Sequence, residues 1–163
     1  MMPLRLQRLT IVSNESTTVR NHSRNPSVYC ADMDIQQALE HFRQNGAGTL
    51  ATLRPDGNPH LSVVFASVVG DSLWISSRQP LVKVKNIRKD PRVAFSSGIR
   101  EWVTIEGTAH IHDGDDVLER LRTYYRTARG EHPDWDDYDL AMVRDQRVII
   151  EITPANAYSG RGG

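Results

Sequence analysis

The sequence has little of three things that would place it quickly in a class: cysteine, long apolar runs and net charge. Its single cysteine, Cys30, cannot form an internal disulfide, which excludes a disulfide-stapled scaffold. No apolar run approaches the roughly 18 residues that a membrane-spanning helix needs. Twenty Lys and Arg balance twenty Asp and Glu, so no overall field favours nucleic acid or a membrane surface as a partner. Any function based on charge must therefore be local.

The start of the chain also lacks a sustained apolar period. We expect residues 1–30 to form a poorly ordered arm. This segment has no apolar stretch followed by a small-residue cleavage site, so the expected location is the cytoplasm. At 163 residues the chain has the size of one domain, which we expect over residues 31–158, with a short tail at 159–163.

Apolar periodicity predicts one helix and then a series of strands. Ile35, Ala38, Leu39 and Phe42 share one helical stripe, with Asp32 or Asp34 as its cap and Gly46 near its end. Six strand-like runs follow: GTLATLR, HLSVVFASVV, SLWISS, RVAFSS, WVTIEGTAHIH and RVIIEIT. Short helices are predicted after the third strand, from Pro80, and after the fifth, with a stop at Gly130 and a second start at Pro133.

This order of elements favours a mainly β (α+β) fold. The strands are joined by short turn-forming links, which predict antiparallel pairing. A doubly wound sheet would instead alternate strand and helix throughout. We therefore expect a closed or nearly closed six-stranded antiparallel β-barrel with small helices at its corners.

One basic segment stands out from the neutral average. PLVKVKNIRKDPRVAF, residues 80–95, carries five cationic side chains between two predicted strands. If Pro80 opens a helix, Lys83 ends its first turn, beside backbone N–H groups that can hold an anion. Ser76 and Ser77, at the end of the preceding strand, can add hydroxyl donors. On this pattern alone a solvated helix face is the simpler interpretation, and an anion site is the alternative.

Four blocks of the sequence carry a family resemblance: GTLATLRPDGNPHLSVVFASV, LWISSRQPLVKVKNIRKDPRVAF, WVTIEGTAHI and GEHPDWDDYDLAMVRDQRVIIEI. Together they resemble the pyridoxamine-phosphate-oxidase-like split-barrel family, and more closely its actinobacterial branch of deazaflavin-dependent oxidoreductases, which use coenzyme F420. The resemblance covers about residues 34–158. It implies a split barrel of the FMN-binding type and a homodimer with its cofactor sites in the groove between the subunits. The implied reaction is hydride transfer between the deazaflavin and a small conjugated organic substrate.

The resemblance also implies site residues. Lys83 matches the lysine that grips the cofactor phosphate, Ser76 a serine donor near it, and Asn86 a polar residue that supports the phosphate loop. The strand segment whose backbone lies along the ring is matched by Ser62, Val63 and Val64. Trp102, at the start of the long fifth strand, is placed to reach the dimer groove and cover the cofactor. No catalytic residue is expected, because the ring itself performs hydride transfer.

Two departures from the family pattern affect the choice of cofactor. Deazaflavin relatives often carry an arginine where this chain has Leu81, and the flavin-using oxidases carry one where it has Val82. Lys85 or Arg78 would have to supply the missing charge. Lys85 lacks the planar guanidinium group, and Arg78 is displaced from the matching position. An FMN-dependent oxidoreductase and a non-enzymatic flavin- or deazaflavin-binding protein are therefore the alternatives.

Two other polar groups have simpler interpretations. His110 and His112 share one face of a strand, but no third ligand lies nearby in the sequence, so we expect no metal site. Four aspartates follow Pro133, where acidic residues favour the first turn of a helix.

Overall fold

The computed structural model describes residues 30–161. The elements in chain order are β1 (Cys30–Asp32), α1 (Ile35–Gln44), β2 (Ala47–Leu53), β3 (Pro59–Phe65), β4 (Ser67–Val69), β5 (Ser72–Arg78), α2 (Val82–Lys89), β6 (Arg92–Ser97), β7 (Glu101–His112), α3 (Val117–Arg129), α4 (Trp135–Arg144) and β8 (Arg147–Arg161). The predicted arm lies outside the described residues except for Cys30. At the other end, β8 runs to Arg161, past the residue at which we expected the tail to begin.

The strands form one antiparallel sheet in the order β3-β2-β6-β7-β8-β5-β4, and β1 pairs with β8. The two end strands, β3 and β4, are consecutive in the chain and are separated only by Ala66. The N–H of Ala66 donates to the carbonyl of Gly46 at 2.8 Å, at the start of β2. The sheet must therefore curl until its ends meet, which confirms the predicted mainly β split-barrel fold.

The strand count exceeds the expected six for two reasons. Ala66 divides the predicted second strand into β3 and β4, and residues from Cys30 add the short β1. Alternate residues of β3 are exposed and half-buried, so its two faces meet different surroundings. Within residues 30–161, no helix is long and apolar enough to cross a membrane.

The helix after β5 begins later than predicted. Pro80 lies in a turn, closed by the N–H of Leu81 donating to the carbonyl of Arg78 at 3.2 Å. Leu81 is extended, with φ −71° and ψ 146°, and α2 begins at Val82. The prediction that Pro80 is the first helical residue is wrong, because this turn keeps Leu81 out of the helix. Lys83 is consequently the second residue of α2, closer to its N-terminus than expected.

The core has two parts. The larger fills the barrel, where α1 buries Ala38, Leu39 and Phe42, and the ring of Phe42 packs 5.1 Å from that of Phe95. Asp34 caps α1 by accepting from the N–H groups of Gln36 and Gln37, so the second of the two predicted caps is the one used.

The smaller core fixes α3 and α4 on the outside of the sheet. Its buried members are Trp74, Leu121, Tyr138 and Ile149. The hydroxyl of Tyr138 donates to the carbonyl of Leu121 at 3.0 Å, which ties α4 to α3. α4 begins at Trp135, two residues after the predicted start at Pro133, because Asp134 is its cap. Asp136 and Asp137 lie in its first turn, as the aspartate pattern predicted. These contacts hold both helices beside the open edge of the barrel.

Gly46 leaves the space that the junction of the two end strands needs. A Cβ there would lie 2.8 Å from Cζ of Phe65 and closer still to the backbone oxygen of Ala66. We predict that Gly46→Ala lowers the free energy of unfolding by about 1–3 kcal/mol through overpacking. Urea titration measures this loss. Gly114→Ala is the control, because a Cβ there meets nothing nearer than 3.8 Å. Equal stability of the two variants would contradict this account of the junction.

Candidate functional site

A cavity of about 720 Å³ opens at the edge of the barrel between β3 and β5. β4 pairs with β5 only between Ser72 and Trp74, so the rest of that edge of β5 is left uncovered. Val63, Val64 and Phe65 of β3 form one wall and Ser76, Ser77 and Arg78 of β5 another. The start of α2, the tyrosines of α3 and α4, and the first residue of β8 complete the lining. Its volume is in the range of about 300–1,000 Å³ that is typical of ligand sites.

The charge of the cavity differs from the neutral average of the chain. Four cationic side chains line it: Arg78, Lys83, Arg129 and Arg147. Among the described residues, no aspartate or glutamate belongs to the lining. Charges of one sign in a cleft with low-dielectric walls raise the local concentration of ions of opposite sign. Arg78 and Arg147 share Asp145, which lies outside the lining, at 3.3 Å and 3.9 Å, and the remaining positive charge favours an anion in the cavity.

Of the four cations, Lys83 is the one whose charge is destabilised by burial. It is half-buried as the second residue of α2, and burial lowers the pKa of its ammonium group. Within residues 30–161 it has no acidic partner. The first N–H groups of a helix lack backbone partners and carry partial positive charge. An anion bound here would thus meet both a free ammonium and a helix N-terminus.

On β5, Ser77 has a buried hydroxyl without a hydrogen-bond partner. The residue is 2% exposed. An unpaired buried hydroxyl costs roughly 1–3 kcal/mol, so such groups are uncommon without a function. Ser76, one residue before it, is half-buried and also lines the cavity. Both predicted serines therefore belong to the cavity that Lys83 lines, but successive strand residues point to opposite faces of the sheet, and Oγ of Ser77 is itself inaccessible.

Tyr124 of α3 closes the gap between the two strand walls. Its hydroxyl donates to the carbonyl of Phe65 at 3.0 Å and interacts with the backbone N–H of Ser76. Burial raises the pKa of Tyr124, opposed by that N–H and by the charges of Arg129 and Arg147. The hydroxyl therefore stays neutral and serves as a fixed link from α3 to the barrel.

Five of the nine residues predicted to bind a cofactor line this one cavity: Val63, Val64, Ser76, Ser77 and Lys83. The remaining four lie outside its lining. Ser62 directly precedes the wall residues on β3, and its Oγ lies 3.5 Å from Nδ1 of His60. Lys85 is exposed on α2, while Arg78, the other replacement considered for the missing arginine, does line the cavity.

Asn86 and Trp102 are occupied elsewhere. Asn86 is 4% exposed and donates from Nδ2 to Oγ1 of Thr52 at 3.1 Å, so its amide fastens α2 to β2. Trp102 lines a separate cavity of about 520 Å³ with Met33 and His41. Its ring packs edge-to-face on Tyr158 at 5.9 Å. Within one chain, neither side chain reaches the site of Lys83.

Sequence reasoning missed the arginines and tyrosines on the far side of the cavity. Arg147 lies opposite Arg78 in the pairing of β8 with β5, a register that no local pattern reveals. Arg129 ends α3, where a basic residue is ordinary. Tyr124 and Tyr138 lie on apolar helical faces, and the periodicity that assigns them to packing does not show the cavity beside them.

The histidine pair has a structural partner. The rings of His110 and His112 lie 4.7 Å apart, and Nε2 of His112 is 2.7 Å from Oε2 of Glu151. Over the described range 30–161, no three His, Cys, Asp or Glu side chains are grouped so that they could hold a metal ion.

The curled antiparallel sheet, whose end strands meet at Ala66, is that of a split-barrel protein. Residues 35–159 match the pyridoxamine 5′-phosphate oxidase family, and the chain belongs to that family, which includes flavin-binding oxidoreductases.

Solved structures share this fold. A conserved hypothetical protein from Mycobacterium tuberculosis is 26% identical, with a TM-score of 0.65 over 79% of this chain and 85% of its own. An F420 reductase is 22% identical, with a TM-score of 0.55 over 72% of this chain and 94% of its own. A heme binding protein from Mycobacterium smegmatis is 19% identical, with a TM-score of 0.59 over 76% of this chain and 52% of its own.

Tyr138 in the cavity lining makes stability depend on pH in the alkaline range. Burial raises the pKa of Tyr138 from its ordinary value of 10.0 to about 12, so the folded state favours the neutral hydroxyl. Its contribution to stability is complete below pH 10 and is lost as the pH rises toward 12. We predict that Tyr138→Phe removes about 1 kcal/mol of stability at neutral pH. It should also unfold with a weaker pH dependence above pH 10 than the natural sequence, measured by urea titration. An unchanged alkaline loss in the variant would contradict the assignment.

Proposed function

We propose that the cavity binds coenzyme F420 and that the protein is an oxidoreductase. It would transfer a hydride between this deazaflavin and a small conjugated organic substrate. One observation carries the proposal: an apolar strand face and four cations without a carboxylate line the same cavity. That combination suits a flat ring with an anionic tail.

The residues present fit the phosphate end of such a cofactor. Lys83 offers an unpaired, half-buried ammonium, and Ser77 offers a buried hydroxyl with no partner. A bound phosphate would pair with the ammonium of Lys83, whereas Oγ of Ser77 is inaccessible to it in this conformation. Leu81 lines the cavity where deazaflavin relatives often carry arginine, and Arg78, also in the lining, is the guanidinium closest to it in the sequence. We assign the phosphate to Lys83 and Ser76, with Arg78 in place of the missing fork, although its guanidinium already donates to Asp145 at 3.3 Å.

The ring would lie along β3. Val63 is 87% exposed and Phe65 is 49% exposed, which leaves an apolar ledge next to the anion site. The backbone of Ser62, Val63 and Val64 passes along this ledge, as the family resemblance implies. Burial of apolar surface there stabilises a ligand by roughly 25 cal/mol per Å². The ring contact would therefore supplement the charged contacts of the tail.

When bound, the deazaflavin would supply the hydride chemistry. The protein would hold the ring, exclude water and shape the space for the substrate. The hydroxyls of Tyr124 and Tyr138 both donate to backbone carbonyls, and their raised pKa values keep them neutral. They serve as walls, and we assign no catalytic residue.

A homodimer would complete the site. Leu61, Val63 and Phe65 share the exposed face of β3, with 64% of Leu61 accessible. Contiguous apolar side chains of this kind mark an interaction surface, and a second copy of the chain packed there would close the cavity. Trp102 lies outside its own chain's cavity, so the prediction that it covers the cofactor requires contact across the subunit boundary.

Two alternatives share the same cavity. FMN also joins a flat ring to a phosphate, and the family fold binds flavins. A protein that holds F420 without turnover is the second alternative, favoured by Leu81 in place of the arginine that deazaflavin relatives often carry. The absorbance of the protein as purified distinguishes FMN, and turnover distinguishes the binding protein.

The binding prediction compares two neighbouring lysines. F420 titrated into the protein should bind saturably, followed by its fluorescence. Lys83→Ala should weaken binding at least about tenfold, the value of one lost charge-assisted hydrogen bond. Lys85→Ala is the matched control, because Lys85 is exposed on the same helix and does not line the cavity. Absence of saturable binding, or equal affinities of the two variants, would disprove the cofactor assignment.

The turnover prediction separates an enzyme from a carrier. Reduced F420 mixed with the protein and a panel of quinones, enones and tetrapyrroles should be oxidised faster than without protein. Lys83→Ala should lose this acceleration at low cofactor concentration. Tight binding with no acceleration by any compound of the panel would favour the binding protein instead.

A further inference from the structure

One carboxylate, that of Asp145, lies at the end of α4 beside the arginines of the cavity. We infer that Asp145 offsets part of their positive charge and so lowers the preference of the site for a doubly charged phosphomonoester over a singly charged phosphodiester. This inference rests on the proposed function and deepens it, since F420 carries its phosphate as a diester and FMN as a monoester. Asp145 is then a residue that determines specificity through the arginines it contacts.

The first observation is that Asp145 lies near both arginines of the adjacent cavity walls. Arg78 and Arg147 are directly opposite each other on β5 and β8, and like charges at such positions repel. Oδ2 of Asp145 lies 3.3 Å from Nη2 of Arg78 and 3.9 Å from Nε of Arg147. Arg144, which is exposed and does not line the cavity, is a third neighbour at 3.4 Å. One carboxylate oxygen therefore offsets part of the charge of both cavity arginines.

The second observation is that these contacts leave donors for a ligand. Arg78 donates to Asp145 from Nη2, and a guanidinium group carries five N–H donors in total. The separation of 3.9 Å from Arg147 is too long for a hydrogen bond. A phosphate in the cavity can therefore still bind the arginines, but it meets a positive charge that Asp145 has already reduced.

The third observation is the turn that places Asp145. Its N–H donates to the carbonyl of Ala141 at 3.0 Å, which ends α4. The next residue, Gln146, has φ 50° and is the one non-glycine residue with positive φ in the range 30–161. Such a conformation costs free energy and persists where the surroundings support it. The N–H of Gln79, next to Arg78, donates to the carbonyl of Gln146 at 3.0 Å and fixes the turn against the end of β5.

The location of this carboxylate determines its effect on a ligand. Asp145 does not line the cavity, so it acts on a bound phosphate through its charge alone. Its side chain is 24% exposed, and water therefore screens that charge only in part. Coulomb energy is proportional to the charge of the ligand, so the repulsion is about twice as large for a dianion as for a monoanion. A phosphomonoester carries close to two negative charges above its second pKa of about 6, and a diester carries one.

The test uses two small probes on the full chain without cofactor. Phenyl phosphate is doubly charged at about pH 8 and methyl phenyl phosphate is singly charged, and NMR titration measures the affinity of each. Asp145→Asn should strengthen the binding of phenyl phosphate about tenfold and that of the diester only about threefold, as twice the Coulomb energy implies. Asp145→Glu keeps the charge and should keep the natural ratio of the two affinities.

A matched control separates this effect from folding and from distant charge. Asp137 is an exposed carboxylate in the first turn of the same helix and does not line the cavity, so Asp137→Asn should leave the ratio unchanged. Urea titration measures the stability of each variant. A loss of structure weakens both probes together, whereas the inference requires tighter binding and a changed ratio. Asp145→Ser removes the same charge and replaces Asp145→Asn if that variant does not fold.

Three outcomes would overturn the inference. They are an unchanged ratio in the neutral variant of Asp145, an equal shift in Asp137→Asn, and no detectable binding of phenyl phosphate to the neutral variant, which should bind it most tightly. If F420 does not bind but the ratio shifts as expected, the charge effect of Asp145 stands and the cofactor proposal fails. If F420 binds through Lys83 and the ratio does not shift, the inference alone fails.

Discussion

The account depends on one constraint: a lysine held partly out of water with no acidic partner in the described chain. Moving an ammonium group from water into protein is unfavourable unless another charge compensates it. The fold half-buries the ammonium group of Lys83 without an acidic partner, although the chain has as many acidic as basic residues. An anionic ligand in the cavity that Lys83 lines is the simplest explanation.

The architecture produces this arrangement without dedicated loops. Because β3 and β4 are consecutive and end the sheet on opposite sides, the barrel closes through the chain at Ala66 and leaves part of β5 unpaired. The helices α3 and α4 then cover that edge only partly, held by Tyr124 and Tyr138 through backbone carbonyls. The cavity is the space that remains. Its walls come from six elements, namely β3, β5, the start of α2, α3, α4 and β8.

Local patterns predicted the elements better than they predicted the site. Alternation and helical periodicity located the strands and α1, because those signals reflect which face each residue buries. The start of α2 was misplaced because a turn at Pro80 and a helix beginning at Pro80 share the same local sequence. Arg147 could not be assigned to the site, since its role depends on the pairing of β8 with β5. Lys83 was identified by its place in the first turn of the helix predicted after Pro80, and the family resemblance then favoured an anion site over a solvated helix face.

The central claim is that Lys83 binds the anionic end of the cofactor. The most direct measurement is an NMR pH titration of the Lys83 side-chain signal, with and without F420. The account predicts a pKa below the ordinary lysine value in the free protein, caused by burial, and a rise when the cofactor binds. A signal that titrates identically in the free and the cofactor-saturated protein would contradict it.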